Sequence, residues 1–403
     1  MQSEIKSNFE KSLKEGNFSS SQKDIKEKNF NKFIEQGFPN KRIEDWKFSD
    51  LNQIISTNFE NLDFSKKDDQ SSIDVDFIHE FEHNKIVFIN GRVSNIDLSY
   101  ENENKIILNQ DFELDEDLSK NVLINLNTAF LNNCIKITVG KGYKFQKPLI
   151  LYNYLTSDLD SHGLNMRLDI NLEDDTSLDV INISNESSKS NFLNFRQKIN
   201  IGKNSVLKNY SLDINPTSNI KYLYKDINLD QNSHLEYFIL SKGSKFAKHD
   251  INCSLNNNHG SIALNGIIDL DNKKHHEIKT VINHNEENCK SYQLIKSVLS
   301  ENSKGIYQGK IYVNSKAQKT DGYQLSRALL LNEIYADDVK CSHGSTSGNI
   351  DENSIFYLMS RGLSHDQSKK LLTNGFLNEA VEKITNMDVK SLIKKLTGIQ
   401  EWT

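Results

Sequence analysis

The sequence predicts a mainly β protein built around a solenoid of short parallel strands, a β-helix, with helical segments at the two ends of the chain. Three observations carry that expectation. Between about residues 85 and 345, apolar and polar residues alternate in many short runs, the period-two signature of strands with one face turned inward. Helical spacing is nearly confined to the chain ends. The strand content of the middle block also exceeds an ordinary sandwich. It shows no strict repeat, which a solenoid tolerates because each coil need only turn apolar side chains inward.

Residues 1–75 read as an N-terminal helical domain. Ser19 and Gln22 have capping-box spacing, and Ile25, Phe30, Phe33 and Ile34 follow at roughly helical intervals. Gly37 and Pro39 end that helix. In the next stretch, Arg42 to Leu51, Trp46 and Phe48 are expected to be packing anchors. A polar connector runs from Ser65 to Ser72. Residues 76–348 hold the strand runs, among them Lys85–Asn90, Cys134–Val139, Leu149–Tyr152, Ser261–Leu270 and Gly309–Val313, punctuated by Asn, Asp, Gly and Ser. Residues 349–403 return to helix. Asp351 and Glu352 stand in a first turn, where the helix dipole favours acids, and Ile355, Leu358 and Met359 form a stripe before Gly362. Ser364 and Gln367 open a second capping box. Leu372, Phe376, Ala380 and Ile384 then repeat every fourth residue, with Leu377 and Val381 beside them. That face can pack on its own domain or dock a partner, and amphipathicity does not choose. The end helices are expected to cap the end coils of the solenoid.

Composition excludes several classes. The 403 residues carry 49 basic and 55 acidic side chains, a formal charge of −6, which argues against a general nucleic-acid binder. No run approaches the length of a membrane span, and the polar start lacks the apolar core of a signal peptide, so a cytoplasmic location is expected. The four cysteines, 134, 253, 289 and 341, form no Cys-x-x-Cys pair. Asparagine is abundant, which is read as compositional bias.

The chain has no P-loop, no Gly-x-Gly-x-x-Gly after a strand and no Gly-x-Ser-x-Gly elbow. His275, His276, Glu277, His284 and Cys289 match no standard metal spacing. The distinctive stretch is Glu333 to Thr346. As a strand it would point Cys341 and His343 to one face, and thiolate and imidazole are ligands that iron and zinc favour. Two ligands do not close a site, so a second chain would supply the rest. The alternative is a small buried Cys beside a satisfied His near a turn.

Three runs bear on this choice: Ala317-Gln318-Lys319-Thr320-Asp321-Gly322-Tyr323-Gln324, Tyr335 to Gly344, and Phe356 to Gly362. Together they resemble the SufB/SufD family of iron–sulfur cluster assembly proteins. Glu44-Asp45-Trp46-Lys47-Phe48 is similar to an N-terminal motif of its SufD branch, and Leu126 to Phe130 with Lys147-Pro148-Leu149 fits the opening of the family's β region. The short chain, without clustered N-terminal cysteines, is also nearer that branch. The resemblance implies a right-handed parallel β-helix flanked by helical domains. It implies a non-catalytic scaffold that pairs with SufB through the β-helices and binds the ATPase SufC through the C-terminal helical domain, with Leu372, Phe376, Leu377 and Val381 as the docking candidates. It places His343 and Cys341 at the SufB interface, around a transient iron–sulfur cluster shared with SufB. It further allows a reduced flavin in the complex and a homodimer when SufB is absent, and it assigns no nucleotide, nucleic acid or membrane to this chain.

In one respect the sequence departs from the family. Leu329-Leu330-Leu331 runs through Asn332 directly into Glu333, where the family usually inserts a further stretch. That shortening bears on the register of the last coil and on pairing. It keeps alive a second reading, a structural brace without cluster chemistry. A third reading, a β-helix acting on polysaccharide, would call for a catalytic groove and usually a secretory signal.

Overall fold

The computed structural model describes residues 2–65, 76–110, 113–187, 190–331 and 345–399. The chain opens with α1 (Gln2–Glu15) and α2 (Ser20–Gln36), then a 3₁₀ turn, Glu44–Trp46, and α3 (Leu51–Asn58). The capping box at α2 forms as expected: the Ser19 side chain accepts from the Gln22 backbone, and the Gln22 side chain accepts from the Ser19 backbone. Gly37, at φ 68°, closes the helix in a backbone conformation that favours glycine.

Next come β1 (Asn84–Ile89), β2 (Arg92–Asp97), β3 (Ile106–Asn109) and α4 (Val122–Phe130). The solenoid follows, and its strands alternate between two sheets. One sheet takes β4 (Cys134–Val139), β6 (Gly163–Leu172), β8 (Phe192–Ile201), β10 (Ile220–Leu229), β12 (Phe246–Leu255), β14 (His275–His284) and β16 (Lys304–Val313). The other takes β5 (Leu149–Leu155), β7 (Ser177–Glu186), β9 (Val206–Asp213), β11 (His234–Ser241), β13 (Ser261–Leu270), β15 (Lys290–Leu299) and β17 (Asp321–Leu330), and is extended by β18 (Ser345–Asn349). Every neighbouring pair from β4 to β18 is parallel, giving about seven coils.

Inward positions make one continuous apolar core, including Ile170, Ile199, Ile227, Cys253 and Ile282 from the first sheet and Val180, Leu207, Ile239, Leu264 and Ile295 from the second. Full burial of side chains of this size contributes roughly 1.5–3 kcal/mol each. Asparagine has a structural use beyond composition. Asn200, Asn228, Asn256 and Asn285 lie 28 or 29 residues apart and hydrogen-bond in a ladder up the solenoid. Asn204, Asn232 and Asn288 occupy left-handed turn positions, which asparagine tolerates better than most residues.

The end helices cover the faces of the sheets, where capping of the end coils was expected. Phe30, Phe33, Phe38 and Trp46 pack with α4 against Phe192, Ile220, Tyr222 and Phe246 on the outer face of the first sheet. After β18 come α5 (Glu352–Ser360), α6 (His365–Val381) and α7 (Met387–Thr397). Leu377, Ala380, Val381, Ile384, Val389, Leu392 and Ile393 pack against Ile181, Tyr210, Leu212, Phe238, Ile267 and Leu294 on the outer face of the second sheet. The first coil is instead flanked by antiparallel strands, β2 against β1 and β3 against β4. Outward apolar residues on both sheets explain the placing: each face needs a cover more than the edges do.

Helix α4 is absent from the sequence reading, which took Leu126–Phe130 as the start of the β region. All nine of its residues are buried. A helix apolar on every side shows no amphipathic period. Asn127 Nδ2 donates to the carbonyls of Met166 and Asn194, and Asn194 Nδ2 donates back to the Leu123 carbonyl, so the helix is stitched to β6 and β8.

Candidate functional site

The last coil frames the stretch singled out from sequence. Strand β17 pairs with β15 along all ten residues, so the register of that coil is set up to Leu330. Five residues of β18 then pair with Ser326–Leu330. Cys341 and His343, with the whole run from Asn332 to Gly344, lie outside the described residues. Ser345 pairs in register with Ser326, which fixes where the chain resumes two residues after His343.

The interior of this last coil is polar. Thr280 Oγ1 and Tyr307 Oη both donate to Gln293 Oε1, at 2.6 and 2.9 Å, and Gln324 Nε2 donates to Tyr307 Oη at 3.3 Å. Gly309 makes room for this network: a Cβ there would stand 1.8 Å from Gln324 Nε2 and 2.6 Å from Tyr307 Oη. Outside, β16 is the terminal strand of its sheet among the described residues and presents Tyr312 and Val313, each more than half exposed. On β17, Tyr323 stacks on Tyr292 with ring centroids 5.2 Å apart.

Helix α6 is tied to the same end. Lys369 Nζ donates to the Leu331 carbonyl at 2.7 Å, and Glu379 pairs with Lys296 and Arg327. Of the four docking candidates on it, Leu377 and Val381 are buried against the chain's own sheet, 2% and 0% exposed. Phe376 is half-buried beneath Lys296, whose Nζ stands 4.3 Å from the ring centroid, and Leu372 is half-buried. The amphipathic face therefore packs on its own domain. Helix α5, absent from the candidate set, carries the free apolar surface. Its Ile355 is buried, whereas Phe356, Tyr357 and Met359 are exposed. The stripe read from sequence, Ile355, Leu358 and Met359, is only partly covered: Ile355 is buried, Leu358 half-buried and Met359 exposed, because a helical period does not say how wide the covered face is.

The other metal candidates do not converge. His275 Nε2 meets Glu277 Oε1 at 3.0 Å on the outer side of β14. His276 turns inward, its Nδ1 against Ser241 Oγ and its Nε2 against the Ser244 carbonyl. That carbonyl can only accept, so Nε2 carries the proton and Nδ1 accepts from the serine. His284 bonds Ser291, and the Cys289 thiol meets the Asn257 carbonyl. Among the described residues no group of three or more His, Cys, Asp or Glu could hold a metal ion. Cys134, Cys253 and Cys289 are unpaired and buried, and burial pushes their thiols up, Cys134 to about 12. None of the three is poised as a thiolate ligand.

Comparison with known proteins decides the family. Residues 154–376, most of the solenoid through to Phe376, match the model of the SufBD core domain of the SUF system for FeS cluster assembly. The chain belongs to the SufBD family. It is 26% identical over 389 residues to the iron–sulfur cluster assembly protein SufD of Escherichia coli K12, covering 91% of this chain and 90% of that one. It is 22% identical over 319 residues to SufD of Plasmodium berghei, covering 75% of this chain and 23% of that protein. It is also 21% identical over 398 residues to the chloroplastic protein ABCI7 of Arabidopsis thaliana. The chain is thus a SufD-like member of an iron–sulfur cluster assembly family, with the parallel solenoid that its sequence predicts. No helix among the described residues is long and apolar enough to cross a membrane.

Proposed function

We propose that this SufBD-family chain is a non-catalytic scaffold subunit of a cytoplasmic SUF assembly complex, pairing with SufB and binding the ATPase SufC. The observation that carries the reading is the near-full-length likeness to SufD of Escherichia coli, laid over a solenoid whose last described strand in the first sheet, β16, presents exposed Tyr312 and Val313. Pairing with SufB uses the last coil, β16 to β18. SufC docks on the C-terminal helices through the face they leave outward, with Phe356, Tyr357 and Leu372 in place of Leu377 and Val381. His343 and Cys341 contribute to a transient cluster shared with SufB. The complex has room for a reduced flavin, and this chain itself binds no nucleotide.

The test is co-expression with SufB and SufC of the same organism. The expected result is one complex containing all three chains by native mass. A lone monomer or homodimer of this chain would overturn the scaffold reading. Within the complex, His343→Ala is expected to lower bound iron and sulfide while assembly persists. Unchanged cluster yield would leave the chain as a structural brace.

A further inference from the structure

The first coils of the solenoid enclose a cavity of about 240 Å³, which opens beside exposed Gln110 and Asn133. Further in, its walls are buried and apolar, formed by Phe88, Leu151, Met166 and Leu168. Strand register shows how far it runs. Leu151 of β5 pairs with Asn182 of β7, and Met166 of β6 pairs with Phe195 of β8. All four line the cavity, so it reaches from one coil into the next. Phe195 packs against the interior core but is only half-buried, as a ring lining open space is.

One polar atom on this wall has no partner. Leu149, Leu151 and Leu155 of β5 belong to the interior core, and Asn153 falls on the same face, in register with Phe88 of β1. Asn153 lines the cavity and is 8% exposed. Its Nδ2 donates to the Leu151 carbonyl at 3.4 Å, and its Oδ1 has no hydrogen-bond partner. A carbonyl only accepts, so turning the amide over would set two acceptors against each other. Asn182, by contrast, is used at both ends: its Nδ2 donates to Asn209 Oδ1 at 3.0 Å, and its Oδ1 accepts from Gln197 Nε2 at 3.5 Å. The wall also carries little net charge. The Arg167 guanidinium donates to both Asp169 oxygens, at 3.0 and 2.8 Å, and burial keeps Cys134 a neutral thiol.

We propose that this cavity binds a small neutral molecule with an apolar body of one substituted ring and a single O–H or N–H donor directed at Asn153 Oδ1. The size suits a ring, since an apolar cavity of about 150 Å³ already holds benzene. Phe88, Phe195 and the Met166 thioether offer the contacts an aromatic face prefers. Water is a poor occupant beside Asn153. It needs two or more polar partners, and the walls there are apolar or already bonded. Displacing loosely held water with an apolar body favours binding. The site lies at the far end of the sheets from β16 and β17, and it stands whether or not the scaffold reading holds.

The probe is 4-bromophenol, with 4-bromoanisole as the matched ring that lacks a donor. Crystals of the full chain soaked in 4-bromophenol and measured at the bromine absorption edge are expected to show an anomalous peak inside the cavity, with the phenol oxygen at hydrogen-bond distance from Asn153 Oδ1. By calorimetry, the wild-type chain is expected to bind 4-bromophenol about tenfold more tightly than 4-bromoanisole, the scale of one buried hydrogen bond. Asn153→Leu removes the acceptor at similar volume. It is expected to fold, because it leaves no buried polar atom unmet at that position, and to bind the two compounds equally. If it does not fold, the wild-type comparison still decides. Bromine on the surface alone, a cavity that holds only water after soaking, equal binding of the two compounds by wild type, or an undiminished preference in Asn153→Leu would overturn the proposal.

Discussion

Lys248 Nζ stands 4.6 Å from the centroid of the Trp46 ring and donates to the Asp45 carbonyl at 2.8 Å. The two residues are 202 positions apart in sequence, and their contact joins the N-terminal turn to the outer face of β12. Lys279 pairs with Asp45 at 2.9 Å, and Lys310 with Glu44 at 2.7 Å, so the short turn is clamped by three successive strands of one sheet. Trp46 is 3% exposed and packs against Tyr222. Trp46→Ala is expected to cost about 3–5 kcal/mol, as large-to-small changes at buried aromatic positions do. Urea denaturation checks this, and a loss under 1 kcal/mol would mean that the N-terminal layer is not anchored there.

The C-terminal helices separate packing from docking. Leu377→Asp is expected to unfold the helical layer, since it places a carboxylate at a fully covered position against Leu294 and Phe238. Phe356→Ser sits in the open and is expected to change stability by less than about 0.5 kcal/mol. The same variant is expected to weaken capture of SufC at least tenfold in a pull-down titration. Undiminished capture would move the docking face off α5.

Acid should destabilise the solenoid through its interior histidines. Burial lowers His276 to about 4 and His249 to about 3, against an ordinary 6.5. Asp213 pulls both upward; Lys225, His276 and Lys221 push His249 down, and His275 and Lys221 push His276 down. Between pH 6.5 and 4 the unfolded chain binds protons that the folded chain refuses, so stability is full above 6.5 and falls as pH drops through this window. Each histidine contributes on the order of 3 kcal/mol to that slope. Denaturation midpoints at pH 7 and pH 4.5 measure it, and His276→Asn is expected to flatten it. A slope equal to wild type in that variant would place the titration elsewhere.

Gly309→Ala tests the last coil. Its Cβ would displace Gln324 from Tyr307, whose hydroxyl is already held by Gln293. A cost of about 1–3 kcal/mol is expected, typical of overpacking. Hydrogen exchange of β16 and β17 should rise while β8 to β12 stay protected. Uniform protection across the solenoid would show that the network yields without cost.

Much of this protein could be read from its residues before any contact was known. The alternation of apolar and polar positions set the strands, because strand geometry turns every second side chain to one side whatever lies across from it. Ser19 with Gln22, and Ser364 with Gln367, set two helix starts, because a capping box closes within four residues. The run around Asp337-Asp338-Val339-Lys340-Cys341-Ser342-His343 pointed to the family that the core match then established. What the tertiary structure decided concerns residues far apart in the chain. It buried Leu377 and Val381 and left Phe356 free, since an amphipathic stripe says that a face is covered and not by what. It revealed α4 where apolar residues on every side erase the helical period. It laid the end helices over the sheets, and it brought Lys225, Gln197, Asn182 and Asn209 into one hydrogen-bonded chain. Local sequence carries periods and caps; which polar side chains meet in the interior depends on how the coils stack.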